Sequence, residues 1–413
     1  MKFYIETFGC TSNFGNSQEA AAALTGLGHE PAPLEDADAV IVNTCAVTAR
    51  TERKILRRLA QLQGERLIIA GCLAASLPGS LHGIACRGIV GLLCRQSAEE
   101  VSRLLSRPQD LPARQECRLL LQDRTGIINI AEGCSGACTY CIVRQARGRL
   151  ASKCPGDVVE EAHLLASAGA AEIQLSAQDT ASYGSDMGGC LPELVSMVAA
   201  IPGEFMVRVG MMNPDTLLPH LDEMIEVLQG SKVFRFLHIP LQSGSNDVLE
   251  RMGRRYTAQD FSDIVKALRS SLPDISINTD VICGFPGETE EDFRETVKLV
   301  EAVQPDKVNV TRFSPRPGTA AARLYDMPDR IKKDRSRQMT AQWTRIAADR
   351  NRRYEGRTLY AWVTERGTAG TMKARAANYT EIVFSATPDT VGWHKIRIAR
   401  SNSFYLVGVW EMQ

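Results

Sequence analysis

Short apolar runs of strand length alternate with stretches of helical period along most of this chain. Lys2 to Thr7 (KFYIET) reads as a strand, and SQEAAAALTGLG from Ser17 as a helix that Gly28 stops. Asp38 to Thr44 (DAVIVNT) has the continuous apolar character of a buried strand, Val47 to Gln63 is a basic amphipathic helix, and Arg66 to Gly71 (RLIIAG) is a third strand. This βαβαβ order predicts an N-terminal open parallel α/β sheet. Pro108 to Gln122, with its Pro, Gln and Arg content, reads as a linker. Gly126 to Gly133 (GIINIAEG) then opens a second series of strands, continued by Glu172–Ser176, Phe205–Gly210, Phe234–Pro240, Ser276–Ile282 and Lys307–Phe313. Helices at about Pro155–Gly169, Pro214–Leu228, Ala258–Leu268 and Thr289–Val303 supply crossovers, and six β/α units predict a partial (β/α)6 barrel. A further helix runs from about Lys332 to Tyr354. After Gly356 the period falls to two, in TLYAWVTE, TMKARAA, TEIVFSA, GWHKIRIA and SFYLVGVW, which predicts a small five-stranded β-barrel. The expected organisation is α/β throughout the first two units: residues 1–107, a linker at 108–122, the partial barrel at 123–345 and the small β-barrel at 350–413.

Composition narrows this only a little. With 413 residues, 44% hydrophobic and 23% charged, the chain is ordinary globular material, long enough for two or three cores. The N-terminus MKFYIETFGCT has one Lys and no sustained apolar core, so no secretory signal is expected. The longest apolar stretches, such as Leu67 to Leu77, fall short of the roughly 20 residues that a membrane helix needs. Twelve cysteines without an export signal point to a reducing cytoplasm, where thiols serve metals better than disulfides. Net charge is zero, so total charge gives no sign of a nucleic-acid partner. Local charge does: Arg330 to Arg357 holds ten Lys or Arg against Asp334, Asp349 and Glu355, a formal +7.

The chemistry concentrates in IAEGCSGACTYCIVRQARGR, Ile130 to Arg149. Cys134, Cys138 and Cys141, spaced C-x3-C-x2-C, allow three thiolates of one loop to converge on an iron–sulfur cube and leave one iron without a protein ligand. A structural zinc site would need a fourth ligand. Cys154 lies beyond a basic run and His163 in an expected helix, although a zinc loop or buried free thiols remain the bland alternatives. Cys10 (TFGC), Cys45 (NTC) and Cys72 (AGC) each follow a strand closely, and parallel sheets gather ligands at their carboxyl edge. Gly9 and Gly71 precede two of them and suit a backbone passing close to a cluster. The alternative is three small buried hydrophobes. Arg144, Arg147 and Arg149 would suit an anionic substrate or a solvated face.

With Tyr140 before its last Cys, the loop resembles the cluster loop of radical S-adenosylmethionine enzymes. The resemblance implies a 4Fe-4S cluster whose open iron takes the amino and carboxylate groups of S-adenosylmethionine, then cleavage to a 5′-deoxyadenosyl radical and hydrogen abstraction from an unactivated carbon. The order TxGC, NTC, GC ahead of that loop resembles the methylthiotransferase family. That implies a second 4Fe-4S cluster on Cys10, Cys45 and Cys72, one S-adenosylmethionine as methyl donor and another as radical source. Cys86, Cys94, Cys117, Cys154 and Cys190 match no ligand position of the family and read as packing or surface thiols, as does Cys283.

Polar residues fall at the carboxyl ends of the barrel strands: Gln178, Asp179, Arg208, His238, Gln242, Asp280 and Arg312. SAQDTASYG, IPLQSGS and VICGFPGE resemble cofactor-facing segments of the family, which implies S-adenosylmethionine contacts for Gln178, Arg208, Gln242 and Asp280. His238 reads equally as a satisfied core histidine, and Glu288 as a first-turn carboxylate. The tail resembles the TRAM domain, an OB-like RNA-binding module, and implies RNA contacts for Arg375, Asn378 and Tyr379 through stacking and phosphate binding. A capping domain is the alternative. SPRPGTAA, RVGMMNPD and HIPLQSGSNDVLERMGRRYT resemble the branch acting on N6-threonylcarbamoyladenosine of tRNA. SAQDTASYG is shared in outline with the branch that modifies an aspartate of a ribosomal protein, and the GQN-type sequence of an isopentenyladenosine branch is missing. A non-catalytic iron–sulfur sensor that binds RNA is the reading from another class. The expected partners are tRNA and an electron donor whose identity the sequence leaves open.

Overall fold

The computed structural model describes residues 1–105, 121, 124–367, 370–385 and 392–410. The first unit is β1 (Lys2–Thr7), α1 (Thr11–Gly26), β2 (Glu30–Pro31), β3 (Ala39–Thr44), α2 (Ala49–Leu62), β4 (Gly64–Gly71), α3 (Cys72–Ser76), β5 (Cys86–Ile89) and α4 (Ala98–Leu105). Its strands form a parallel sheet in the order β2-β1-β3-β4-β5. Every residue of β3, AVIVNT, is buried, as a central strand covered on both faces requires. Thr48 caps α2 by accepting a hydrogen bond from the Thr51 amide at 3.1 Å.

The helix expected from Ser17 begins six residues earlier, at Thr11. Its first turns are polar yet buried, which is why the sequence reads there as loop. Ser12 Oγ lies 3.0 Å from Ser176 Oγ, the Asn16 amide donates to Glu132, and Asn43 donates to Ser17. These bonds replace water for side chains that otherwise disfavour a buried helix. The edge strands β2 and β5 carried no strand signal because they are two and four residues long. The expected linker at 108–122 lies, apart from Leu121, outside the described residues, as does Cys117.

The second unit runs through β6 (Thr125–Asn129), β7 (Ala131–Glu132), α5 (Val143–Arg147), β8 (Ala151–Ser152), α6 (Pro155–Ser167), β9 (Glu172–Ser176), α7 (Leu191–Ala199) and β10 (Met206–Val209). It continues with α8 (Pro214–Leu217), α9 (Leu221–Leu228), β11 (Phe236–His238), α10 (Asn246–Arg251), α11 (Ala258–Ser271), β12 (Ser276–Cys283), α12 (Glu290–Val303) and β13 (Lys307–Arg312). Parallel triplets β6-β9-β10 and β11-β12-β13 are joined by bridges Val207–Val233 and Met211–His238, which gives the expected partial barrel of six strands. Alternate residues such as Ile173, Leu175, Val207, Val209, Ile277 and Val281 pack outward on the helices in the largest core. Their neighbours Gln174, Arg208, His238 and Asp280 therefore face the concave interior. Helix α1 covers the open edge of β6, where the Gln18 side chain accepts from the Ile127 amide at 2.9 Å and donates to the Thr125 carbonyl at 3.1 Å.

Helix α13 (Asp329–Arg352) lays Met339, Trp343, Ile346 and Ala347 into the barrel core. The closed barrel of β14 (Thr358–Arg366), β15 (Thr371–Ala376), β16 (Glu381–Ser385), β17 (Gly392–Ser401) and β18 (Leu406–Trp410) follows, in the order β14-β15-β16-β18-β17. Its turn at 377–379 plugs the amino end of the partial barrel. The Tyr379 ring sits 4.9 Å from Phe234 and 5.0 Å from Phe236, its hydroxyl donates to Glu172 at 2.8 Å, and the Arg235 amide donates to the Ala377 carbonyl at 2.8 Å. Asn378, 6% exposed, donates to the Asp274 carbonyl and the Tyr354 hydroxyl. Arg375 pairs with Glu381 at 2.9 Å and lies over the Tyr379 ring. The expectation that Asn378 and Tyr379 meet RNA is therefore corrected: their side chains are committed to the joint between the two barrels, whereas Arg375 stays partly exposed beside Glu381.

The +7 run is revised in the same way. Arg335 pairs with Glu288 and Glu290, Lys332 with Asp326 and Asp329, Arg345 with Glu301, Arg350 and Arg353 with Asp306, and Arg352 with Asp349. Four of its ten cations, Arg335, Arg345, Arg350 and Arg353, fasten α13 to the barrel, while Arg330, Lys333, Arg337 and Arg357 stay exposed.

Candidate active site and its two thiol groups

The loop from Gly133 to Cys141 is held from three sides. Gly133 has φ +75°, and a Cβ there would lie 2.0 Å from the Arg149 carbonyl oxygen, so only glycine lets the chain enter. The Thr139 amide donates to the Met252 carbonyl at 2.9 Å, the Thr139 hydroxyl to Arg251 at 2.9 Å, and the Ala321 amide to Thr139 at 2.8 Å. Tyr140 meets Phe285 edge-on at 6.3 Å. Burial pushes the Cys141 thiol up to about 12 and raises that of Cys134. Buried thiols of this kind give up their protons to a metal rather than to water. Arg254 places a guanidinium Nη1 3.0 Å from Cys138 Sγ while its other nitrogen donates to Asn213.

The other three thiols meet at one edge of the N-terminal sheet. Cys10 precedes α1, Cys45 follows β3, and Cys72 opens α3. Thr44 and Gly71 are register partners, so Cys45 and Cys72 leave neighbouring strands side by side. Gly9 has φ +119° and Gly71 φ +97°. A Cβ at Gly9 would lie 3.0 Å from Cys45 Cβ, and one at Gly71 2.4 Å from Asn43 Oδ1. Burial pushes the Cys45 thiol up to about 11 and raises Cys72. Asn13 fixes the cradle, donating to the Phe8 carbonyl at 2.7 Å and the Thr44 carbonyl at 3.0 Å, with its oxygen 3.6 Å from Cys72 Sγ.

Arg147 corrects another expectation. It is buried, pairs with Glu132 and donates to Asn13 and Asn16. Although burial opposes its charge, Cys72 and Glu132 raise its pKa further, so this arginine belongs to the second thiol group rather than to substrate. Arg144 and Arg149 stay exposed. Among the described residues no three His, Cys, Asp or Glu side chains stand close enough to hold one metal ion. A single tetrahedral ion draws its donors to within about 2.3 Å of one point, whereas the thiolates of a cube each take a different iron and stand further apart.

Beside the thiol loop lies a pocket of about 210 Å³ lined by Val47, Thr48, Tyr140, Cys141, Gln242, Asp280 and Arg312. Of the expected cofactor residues it brings together Gln242 and Asp280. Gln242 has φ +66° and a buried side-chain oxygen without a partner among the described residues. Burial pushes the Asp280 carboxyl up, but hydrogen bonds from His238 at 2.9 Å and Asn309 at 2.8 Å outweigh it and hold it below the usual carboxylate range. Gln178, two residues past β9, buries both amide atoms without a partner among the described residues. Such an amide costs about 1–3 kcal/mol unless something binds it. Arg208 is placed elsewhere: it takes Gln174 at 3.1 Å and lies between the Phe236 and Tyr379 rings, at 5.2 and 5.3 Å, toward the plugged end. Asp179 is structural, accepting from Asn213 and Thr216. Arg254, Asn13 and Glu132 escaped the sequence reading. ERMGRRYT offered a basic signal for the first, and nothing local marked the others. A wider groove of about 1110 Å³ between α10 and α12 is lined by Asp247, Glu250, Glu291 and Glu295 and holds no thiol, which leaves the smaller pocket, with Cys141 in its wall, as the candidate site.

Residues 128–300 match the Radical SAM superfamily, and residues 2–88 match Uncharacterized protein family UPF0004. The chain is 40% identical to the Probable threonylcarbamoyladenosine tRNA methylthiotransferase of Archaeoglobus fulgidus, over 99% of this chain and 98% of that protein. It is 39% identical to the protein of the same description from Pyrococcus abyssi, over 99% of each. The Threonylcarbamoyladenosine tRNA methylthiotransferase of Drosophila melanogaster is 37% identical over 82% of this chain and 65% of its own length. Among solved structures the fold is shared with the radical S-adenosylmethionine methyltransferase TsrM from Kitasatospora setae, at TM-score 0.55 and 16% identity over 78% of this chain and 74% of that one. With one thiol loop at the mouth of a six-stranded partial barrel and relatives matched end to end, the chain belongs to the threonylcarbamoyladenosine tRNA methylthiotransferase family of radical S-adenosylmethionine enzymes.

Proposed function

We propose that this enzyme places a methylthio group on position 2 of N6-threonylcarbamoyladenosine beside the tRNA anticodon, with a second 4Fe-4S cluster on Cys10, Cys45 and Cys72. One observation carries the reading: the pocket lined by Cys141 of the first thiol group is also lined by Val47 and Thr48, which closely follow Cys45 of the second. Ile142 and Ala146, just past Cys141, pack in the same apolar cluster as Cys45 and Cys72.

When bound, the cluster, S-adenosylmethionine and an electron from an outside donor supply hydrogen abstraction from the carbon that is to receive sulfur. Cys134, Cys138 and Cys141 supply the thiolates that hold the radical cluster, and Arg254 offsets negative charge beside Cys138. Gln178 presents both amide atoms and Gln242 its amide oxygen, unpartnered among the described residues, to a polar ligand, and the ionised Asp280, fixed by His238 and Asn309, accepts from its hydroxyl or amino groups. Tyr140, Phe285 and Phe313 form an apolar wall that keeps water from a reactive carbon centre. Arg147 and Asn13 orient the second thiol group and balance its charge. The test is mass spectrometry of nucleosides from tRNA carrying threonylcarbamoyladenosine, incubated anaerobically with reconstituted enzyme, S-adenosylmethionine, sulfide and reductant. The expected result is that nucleoside heavier by one methylthio group. Accumulation of 5′-deoxyadenosine with no altered nucleoside would contradict the substrate and direct the search to a ribosomal protein.

A further inference from the structure

The pocket opens onto a second groove, of about 670 Å³, with which it shares Thr48, Thr311, Arg312, Phe313 and Ser314. One wall is α2 and the other is the start of α13. Arg50 and Arg53 line the first wall and Lys333 the second. All three are exposed, and none makes an ion pair within the described residues, unlike most of the cations further along α13. The acidic groups of the groove, Asp326 and Asp329, both face Lys332, which is 3% exposed, at 2.8 and 3.3 Å. Counting the lining, five basic residues (Arg50, Arg53, Arg312, Lys332 and Lys333) stand against two acidic ones, a net +3.

The scaffold beneath these charges is stiff. The Ala49 amide donates to Ser314 Oγ at 3.3 Å, and Glu52 pairs at 2.6 Å with Arg316, which is almost wholly buried. Arg50, Arg53 and Arg57, spaced by three and four residues, share the face of α2 opposite Ile55, Leu59 and Leu62. Beside the groove, one residue before Asp326, stands Tyr325, 82% exposed, with Leu324 half exposed next to it. A large aromatic held in water beside unpaired cations is the combination that binds single-stranded RNA, the ring for a base and the cations for phosphates.

We propose that the RNA strand flanking the modified nucleotide leaves the pocket through this groove, its phosphates held by Arg50, Arg53 and Lys333 and an unpaired base stacked on Tyr325. This rests on the tRNA reading above and adds an RNA contact at the seam between α2 and α13. The test is fluorescence anisotropy of a labelled anticodon stem-loop RNA with the full reconstituted chain across a salt series. Loss of three phosphate contacts in Arg50→Ala/Arg53→Ala/Lys333→Ala should weaken binding about 10- to 100-fold and make the log–log salt slope shallower by about 2. Tyr325→Ala should weaken binding of the stem-loop about tenfold but not of a blunt duplex, and Tyr325→Phe should restore it. Arg345→Ala/Arg352→Ala, which removes paired cations of α13, should bind as the wild type, and melting curves report whether each variant folds. If the triple variant binds like the wild type with the same slope, the groove is not the track, although the tRNA reading stands. If the wild type binds no stem-loop RNA yet modifies a protein acceptor, both fall.

Discussion

Cys134, Cys138 and Cys141 lie within eight residues of one loop, whereas Cys10, Cys45 and Cys72 come from three strand ends spread over 63 positions, 10 to 72. The loop is shaped by its own glycine at 133 and by contacts with the turn after α10. The second group exists only because β1, β3 and β4 lie parallel and in register, with Thr7 opposite Asn43 and Thr44 opposite Gly71. The charges differ too. Arg254 reaches the first group from the barrel, while Arg147 reaches the second from the segment that follows the first. One group is a local motif, the other a product of the fold, and α5 couples them. Their chemistry should therefore separate under mutation.

The largest expected effect is at Cys138. Cys138→Ala should abolish both 5′-deoxyadenosine release and the methylthio product, assayed by liquid chromatography and nucleoside mass spectrometry. Cys72→Ala should split the two readouts, with no methylthio product but continuing 5′-deoxyadenosine release. If release stops as well, the two groups do not work independently. Arg147→Met, which keeps the bulk and removes the charge, should lower retention of the second group's iron about 10- to 100-fold during chelator challenge and spare the first. Gln178→Leu acts on the first half alone and should weaken S-adenosylmethionine binding about tenfold by calorimetry, with iron content unchanged. The smallest effect belongs to the joint between the barrels. Asn378→Ala breaks two buried hydrogen bonds and should cost about 2 kcal/mol of thermal stability, while leaving RNA affinity as it was.

How much of this could be read from the chain follows the same division. The C-x3-C-x2-C loop, the six barrel strands and the five small-barrel strands are local signals, and the structure has them. The early start of α1 was hidden because Ser12, Asn13, Asn16 and Ser17 look like loop until their buried partners are known. Helix α7 was missed although Leu191, Leu194, Val195 and Val198 recur at helical spacing, because LPELVSMVA is only nine residues long and such a short apolar run does not separate helix from strand. Counting charges gave +7 for the start and length of α13, but charge counts do not record partners, and carboxylates from β-strand ends and α12 take Arg335, Arg345, Arg350 and Arg353. Tyr379 and Asn378 carry the residue types of an RNA contact and serve a domain joint, a distinction that only the position of the 377–379 turn against Phe234 and Asp274 reveals.

The most direct test of two separable thiol groups is Mössbauer spectroscopy with iron counting on wild type and on Cys10→Ala/Cys45→Ala/Cys72→Ala, both reconstituted anaerobically. The account predicts two cubes in the wild type and one in the variant, whose remaining cube still changes its spectrum when S-adenosylmethionine is added. A variant that keeps the full iron content, or a wild type that holds only one cube, would contradict it.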